Sequence, residues 1–227
     1  MTLIWATKVK GKWTLVADSA VTIWQIMTNA SEGFRPKIRE IVGKNVTLIA
    51  AGCGTIKDID FTLNVIENRL AKKKFKSKNE LKFFIQETLA DSFRELKTLT
   101  DSPQAAFVFL EPKTDTLWMC DEYSVTEPKE CAQIAFGSAD QNFYKAKKSQ
   151  DFFTAFCHCV ECDEFCNFPI IAYRDWEVHS FNGREGADSF YSILGWYNEP
   201  SELCCEPVTD PEWARKEYVC DWADKEL

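Results

Sequence analysis

The sequence predicts a mixed α/β protein, a four-layer α-β-β-α sandwich in which two antiparallel sheets face each other and helix pairs cover their outer faces. Three observations carry that expectation. One set of segments is short, apolar or alternating, and bounded by turn residues, while another repeats its apolar residues at helical spacing. The two kinds follow one another as strands, two helices, strands, two helices, strands. Elements in that order bury their apolar faces when two sheets pack together and the helices close the outside.

The chain opens on a hairpin. Leu3 to Val9 and Trp13 to Ala17 read as strands around a Lys10-Gly11 turn. Termini are usually loose unless something ties them down, so a strand starting at Thr2 or Leu3 marks a held N-terminus. "FRPKIREI" (Phe34 to Ile41) and "VTLIAAG" (Val46 to Gly52) are two further strands joined at Gly43-Lys44. Then Ile56, Ile59, Leu63, Ile66 and Leu70 fall on one face of a helix running to about Ala71. The basic run "KKKFKSK" that follows is a solvated helix end. Ser77 and Glu80 have capping-box spacing ahead of a second helix, with Leu81, Phe84, Leu89, Phe93 and Leu96 on its buried side.

"QAAFVFLE" and "TLWMCDEYSV" are strands around the turn Pro112 to Asp115, and "CAQIAFGS" is another. Helices are expected from about Ala139 and from about Asp151 to Cys162. "FPIIAY" and "WEVHSF" then form a hairpin turning at Arg174-Asp175. The body spans residues 1–183. Residues 184–227 form an acidic extension of turns and short helices that carries Trp196, Trp213 and Trp222.

Composition narrows the function classes. The 227 residues carry 27 basic and 35 acidic side chains, a net charge of −8, which gives no electrostatic reason to expect nucleic acid. From Arg184 onward there are four basic and eleven acidic residues, so nearly all of the net charge sits in the extension. No apolar run approaches the roughly 18 to 20 residues of a membrane span. No signal peptide is visible, so the cytoplasm is the expected compartment, without a membrane partner.

The N-terminal strand carries the functional hypothesis. Removal of Met1 would leave Thr2 as the first residue, with Asp18 sixteen residues beyond it and a Lys-Gly turn between them. This hairpin resembles that of the proteasome β-subunit and HslV family of N-terminal nucleophile (Ntn) hydrolases. The family's lysine segment is matched by "KIREI", which nominates Lys37, although the loop from Trp24 to Phe34 is about three residues longer than in HslV. "AAGCGTIKD" resembles the family's glycine turn and points to Gly54 with Asp58, Gly52 being the alternative. "AFGSAD" keeps the serine of a Gly-Ser-Gly turn as Ser138, with Ala139 replacing the second glycine. At the last family element Asp163 is kept, while Cys166 and Asn167 stand in place of serine and glycine. The likeness covers about residues 2 to 183.

The resemblance implies an Ntn-type sandwich and a threonine peptidase or related amide hydrolase. A threonine hydroxyl needs a base during attack, and a free α-amino group with a pKa of about 7.7–8.0 can serve as that base. Lys37 would be the nearby cation and Asp18 its anchor. The Gly54 N–H would stabilise the oxyanion, and Ser138, Asp163 and Cys166 would surround the amine. A peptide or unfolded-protein substrate, a homo-oligomeric ring and an AAA+ ATPase unfoldase are implied as partners. The alternative is a catalytically inactive proteasome-like subunit with a structural or partner-binding role, favoured by the divergent second half and the acidic extension.

"CHCVECDEFC" places Cys157, His158, Cys159, Cys162 and Cys166 within ten residues. The spacing is not that of a zinc ribbon or a familiar iron–sulfur run. On a helix, Cys159, Cys162 and Cys166 would share a face and pack as small hydrophobes. That reading leads, with a redox role involving Cys204, Cys205 or Cys220 and a metal site as the alternatives. No cofactor and no metal are expected.

Overall fold

A computed structural model describes residues 3–9, 11–23, 31–34, 37–100, 102–128, 133–137, 152–162, 166 and 168–194. Two five-stranded antiparallel sheets dominate it. The first has the order β10-β1-β2-β11-β12, built from β1 (Leu3–Val9), β2 (Lys12–Ala17), β10 (Gln133–Gly137), β11 (Ile170–Arg174) and β12 (Glu177–Phe181). The second has the order β5-β6-β7-β8-β9, from β5 (Ile38–Val42), β6 (Thr47–Gly54), β7 (Ala105–Glu111), β8 (Thr116–Cys120) and β9 (Val125–Thr126). A separate ribbon pairs β3 (Ala20–Ile23) with β4 (Ser31–Phe34).

Period-two alternation divides the core. Leu3, Trp5 and Val16 face one side of the first sheet, and Ile4, Ala6, Leu15 and Ala17 face the other. The latter set joins Ile38, Ile49, Ala51, Val108, Leu110 and Leu117 of the second sheet in one buried cluster between the sheets. Each fully buried aliphatic side chain there is worth about 1.5–3 kcal/mol.

Two helices cover the second sheet's other side. Helix α1 (Ile56–Leu70) contributes Leu63, Ile66 and Leu70, and α2 (Lys78–Leu99) contributes Leu81, Phe84, Ile85, Leu89 and Phe93. The Ser77 hydroxyl accepts the Glu80 N–H at 3.2 Å as the capping-box spacing implies, while the Glu80 carboxylate accepts the N–H of Lys76, one residue before the cap, at 2.9 Å. The lysine-rich connection is anchored at Phe75, which is 9% exposed and packs edge-on against Phe84. Asn45 clasps the Phe75 backbone through its amide, giving one hydrogen bond and taking another.

Against the outer face of the first sheet lie α3 (Phe152–Cys162) and α4 (Ala187–Leu194), the latter entered through a 3-10 turn at Arg184–Gly186. Phe190 of α4 is fully buried against Phe153 and Phe181. The helix expected from Ala139 lies outside the described residues. Among the described residues four helices occur, and none is long and apolar enough to cross a membrane.

Several local readings are corrected. "FRPKIREI" is not one strand: its Phe34 ends β4 in the ribbon, whereas Ile38 begins β5 in the second sheet. "TLWMCDEYSV" breaks at Asp121, whose carboxylate accepts the backbone N–H groups of Tyr123 and Ser124 and so turns the chain. The last hairpin turns at Asp175-Trp176, where φ is +48° and +70°. The single cysteine face also gives way. Helix α3 ends at Cys162, which is exposed, while Cys157, Cys159 and Cys166 are buried in the core cluster.

At the hairpin end of β1 and β2, Asp115 from the β7–β8 turn crosses between the sheets. Its carboxylate accepts the Trp13 N–H at 3.0 Å and pairs with Lys8 at 3.3 Å. The candidate site lies at the other end of these strands.

Candidate functional site

The site is built where β1 begins and β2 ends. Ile4 lies opposite Ala17, so Asp18 emerges beside Leu3. Two backbone-level contacts fix it there. The Asp18 N–H donates to the Leu3 carbonyl at 3.1 Å, and the Asp18 Oδ1 accepts the Leu3 N–H at 2.8 Å. On the other flank of β1, Gly137 at the end of β10 is the register partner of Leu3. Leu3 is therefore held from both sides.

Asp18 is 0% exposed, and a buried carboxylate is costly unless it is paired. Lys37, immediately before β5, supplies the cation. Its Nζ donates to Oδ1 at 2.8 Å and to Oδ2 at 2.7 Å. The lysine side chain is itself only 9% exposed. Asp18 follows a strand of the first sheet and Lys37 precedes one of the second, so this ion pair also ties the two sheets together.

Gly54 closes β6 with φ +120°, a conformation that favours glycine. A Cβ at this position would sit 2.2 Å from the Gln104 carbonyl oxygen, so no larger residue fits without backbone movement. The Thr55 N–H donates to that same carbonyl at 2.8 Å. Antiparallel ladders alternate hydrogen-bonded and non-bonded pairs. With Thr55 bonded to Gln104, the Gly54–Ala105 pair is the non-bonded one, and the Gly54 N–H turns away from β7. On that side the last described β5 ladder pair is Ile38–Ala51, next to Lys37.

Thus Asp18 and Lys37 meet directly, and Gly54 carries the special backbone its sequence context suggests. Cys166 is 6% exposed and sits in the apolar cluster that includes Leu3, Trp5 and Phe153. Thr2, Ser138 and Asp163 lie outside the described residues. Sequence reasoning missed Ser19, which is 2% exposed and donates its hydroxyl proton to the Pro169 carbonyl at 2.5 Å. That bond ties the Asp18 corner to the segment following Cys166. Only its adjacency to Asp18 could have flagged it. Among the described residues no three His, Cys, Asp or Glu side chains form a group that could hold a metal ion.

No protein-family model matches the chain, and no curated protein matches it. Solved structures do. An Anbu (Gly-1) mutant from Hyphomicrobium sp. strain MC1 superposes with a TM-score of 0.63 at 11% identity, covering 88% of this chain and 99% of that one. Anbu (ancestral beta-subunit) from Yersinia bercovieri gives 0.60 at 10% identity, covering 87% and 98%. The structure of a helical assembly of the Anbu complex from Pseudomonas aeruginosa gives 0.59 at 11% identity, covering 89% and 100%. At such identities the likeness establishes the fold, and the fold is that of Anbu subunits. This corrects the resemblance drawn from the motifs, which pointed to the proteasome β-subunit and HslV type. The motifs are short and cluster at one end of the sheets, so they carry little information on the fold as a whole. The superposition compares the path of the whole chain.

Proposed function

We propose that this chain is an Anbu-like subunit whose four layers form an Ntn-type sandwich, and that it hydrolyses amide bonds through Thr2 after loss of Met1. The observation that carries the reading is the buried Asp18 carboxylate, which accepts the Leu3 N–H and both Lys37 contacts at once. It holds a desolvated cation beside the residue that follows Thr2. In this mechanism the Thr2 α-amine takes the hydroxyl proton while the oxygen attacks the substrate carbonyl. The Gly54 N–H receives the developing oxyanion, and the protonated amine returns its proton to the leaving amine. Water then hydrolyses the ester by the reverse roles. The three core clusters support the layered architecture. The Anbu neighbours support self-association, and the helical assembly named for the Pseudomonas aeruginosa protein makes an open array one form for it.

Intact mass and peptide hydrolysis on untagged protein test this together. The expected result is a mass short of one methionine, cleavage of a fluorogenic peptide amide, and no cleavage by Thr2→Ala. A processed, folded protein that cleaves no peptide would refute the activity.

A second reading has one observation in its favour. Cys166 sits in an apolar cluster at the position where the motif has a hydroxyl, and a thiol is the weaker hydrogen-bond partner. A subunit of purely structural role would form oligomers and give no turnover in the same experiment.

A further inference from the structure

We propose that Asp58 is a positioning residue for the Gly54 turn, acting through the backbone of Gln104; the inference rests on the hydrolase reading above only for its catalytic consequence. Asp58 stands in the first turn of α1 and is 3% exposed. An acid three residues after the N-cap commonly reaches back to the cap's own N–H. Here it does not. The N-cap is Thr55, its side chain makes no capping bond, and its N–H goes to the Gln104 carbonyl at 2.8 Å. Asp58 Oδ2 instead accepts the Gln104 N–H at 3.0 Å. The capping circuit has been opened and residue 104 inserted into it, with both of its backbone polar groups engaged.

That insertion bears on Gly54. The Gln104 carbonyl oxygen stands 2.2 Å from where a Cβ at position 54 would be, so it is the wall against which the glycine folds. It is also the acceptor that sets the Thr55 N–H, and therefore the ladder parity that turns the Gly54 N–H away from β7. Removing the Asp58 acceptor takes away its part-buried bond to the Gln104 N–H and lets this wall move. A donor aimed at a developing charge loses its value when its direction drifts. The reaction should then slow at the transition state while ground-state substrate binding stays nearly constant.

The test compares Asp58→Ala, Asp58→Asn and wild type, each with Met1 removed, on a fluorogenic peptide amide. Asp58→Ala should lower kcat by about tenfold or more with KM changed by less than about twofold. Asp58→Asn keeps an acceptor oxygen and should stay within about threefold of wild type. In parallel, amide exchange at Thr55 and Gln104 should accelerate by about tenfold in Asp58→Ala and not in Asp58→Asn. Should Asp58→Ala fail to fold, Asp58→Glu, which displaces the oxygen by one methylene, takes its place with the same expectations. An unchanged kcat, a loss confined to KM, or equal impairment of the alanine and asparagine variants would overturn the proposal. If the wild type cleaves nothing, the hydrolase reading falls, and unchanged exchange at Thr55 and Gln104 would independently sink the positioning role.

Discussion

Replacing Lys37 by methionine removes one charge from the Asp18 site while keeping most of the lysine stem. Nζ lies 2.7 Å from Oδ2, so at an effective dielectric near 20 the attraction is about 6 kcal/mol. Part of that offsets the desolvation of both groups. What the variant loses is the charge compensation of a carboxylate that is 0% exposed, while the Leu3 N–H contact stays. Breaking one side of a buried pair in this way costs about 3–5 kcal/mol. Asp18→Asn should cost a similar amount, because it removes the charge that balances a largely buried ammonium. The double variant Asp18→Asn/Lys37→Met leaves no charge and keeps an acceptor for Leu3, so it should lose less than the two single losses together. A double-mutant cycle from urea unfolding, followed by tryptophan fluorescence, should return a coupling of at least about 2 kcal/mol. Single losses below about 1 kcal/mol, the value of an exposed pair, would refute the buried-clasp reasoning, as would additivity of the two.

Three further outcomes follow from the same geometry. Gly54→Ala places a Cβ 2.2 Å from the Gln104 oxygen at φ +120° and should lower stability by about 1–3 kcal/mol, read as a fall in Tm, with peptide turnover abolished. Burial pushes the Cys120 thiol well above its ordinary range, so native-state alkylation mapped by mass spectrometry should leave it unmodified while exposed Cys162 reacts first among the described cysteines. Desolvation pushes the Tyr173 phenol up to about 12, opposed by the Trp176 backbone. The unfolded chain gives up this proton near pH 10 and the native one about two units later, so stability is retained below pH 10 and declines between 10 and 12. Tyr173→Phe should flatten that part of the urea-stability profile.

Much of this was legible in the sequence, and the reasons differ by element. The opening hairpin and both α1 and α2 follow from local periodicity, a turn glycine and a capping box, all of which act within a few residues. The split of "FRPKIREI" was not legible, because Phe34 and Ile38 find their partners in different sheets and nothing local distinguishes the two destinations. The β3–β4 ribbon was missed for a related reason: its strands carry Ser31, Glu32 and Gly33 rather than an apolar alternation. At the site, the family resemblance nominates Asp18 and Lys37, by the hairpin spacing and the "KIREI" segment. Their meeting depends on how two sheets face each other. Gln104 carried no signal for its contacts to Asp58 and Thr55, since these are made by backbone atoms whose identity any residue but proline would share.

The position of β1 between β2 and β10 also constrains how the protein is born. Leu3 meets the β2 end within moments of leaving the ribosome, yet its other register partner is Gly137. At about 5–20 residues per second, roughly 6 to 24 s of synthesis separate the two. Through that interval the nascent chain carries the apolar strand LIWATKV with one flank unmade. Lesions in the Gln133–Gly137 strand should therefore show themselves first as a demand for chaperones during translation, ahead of any deficit in the finished molecule.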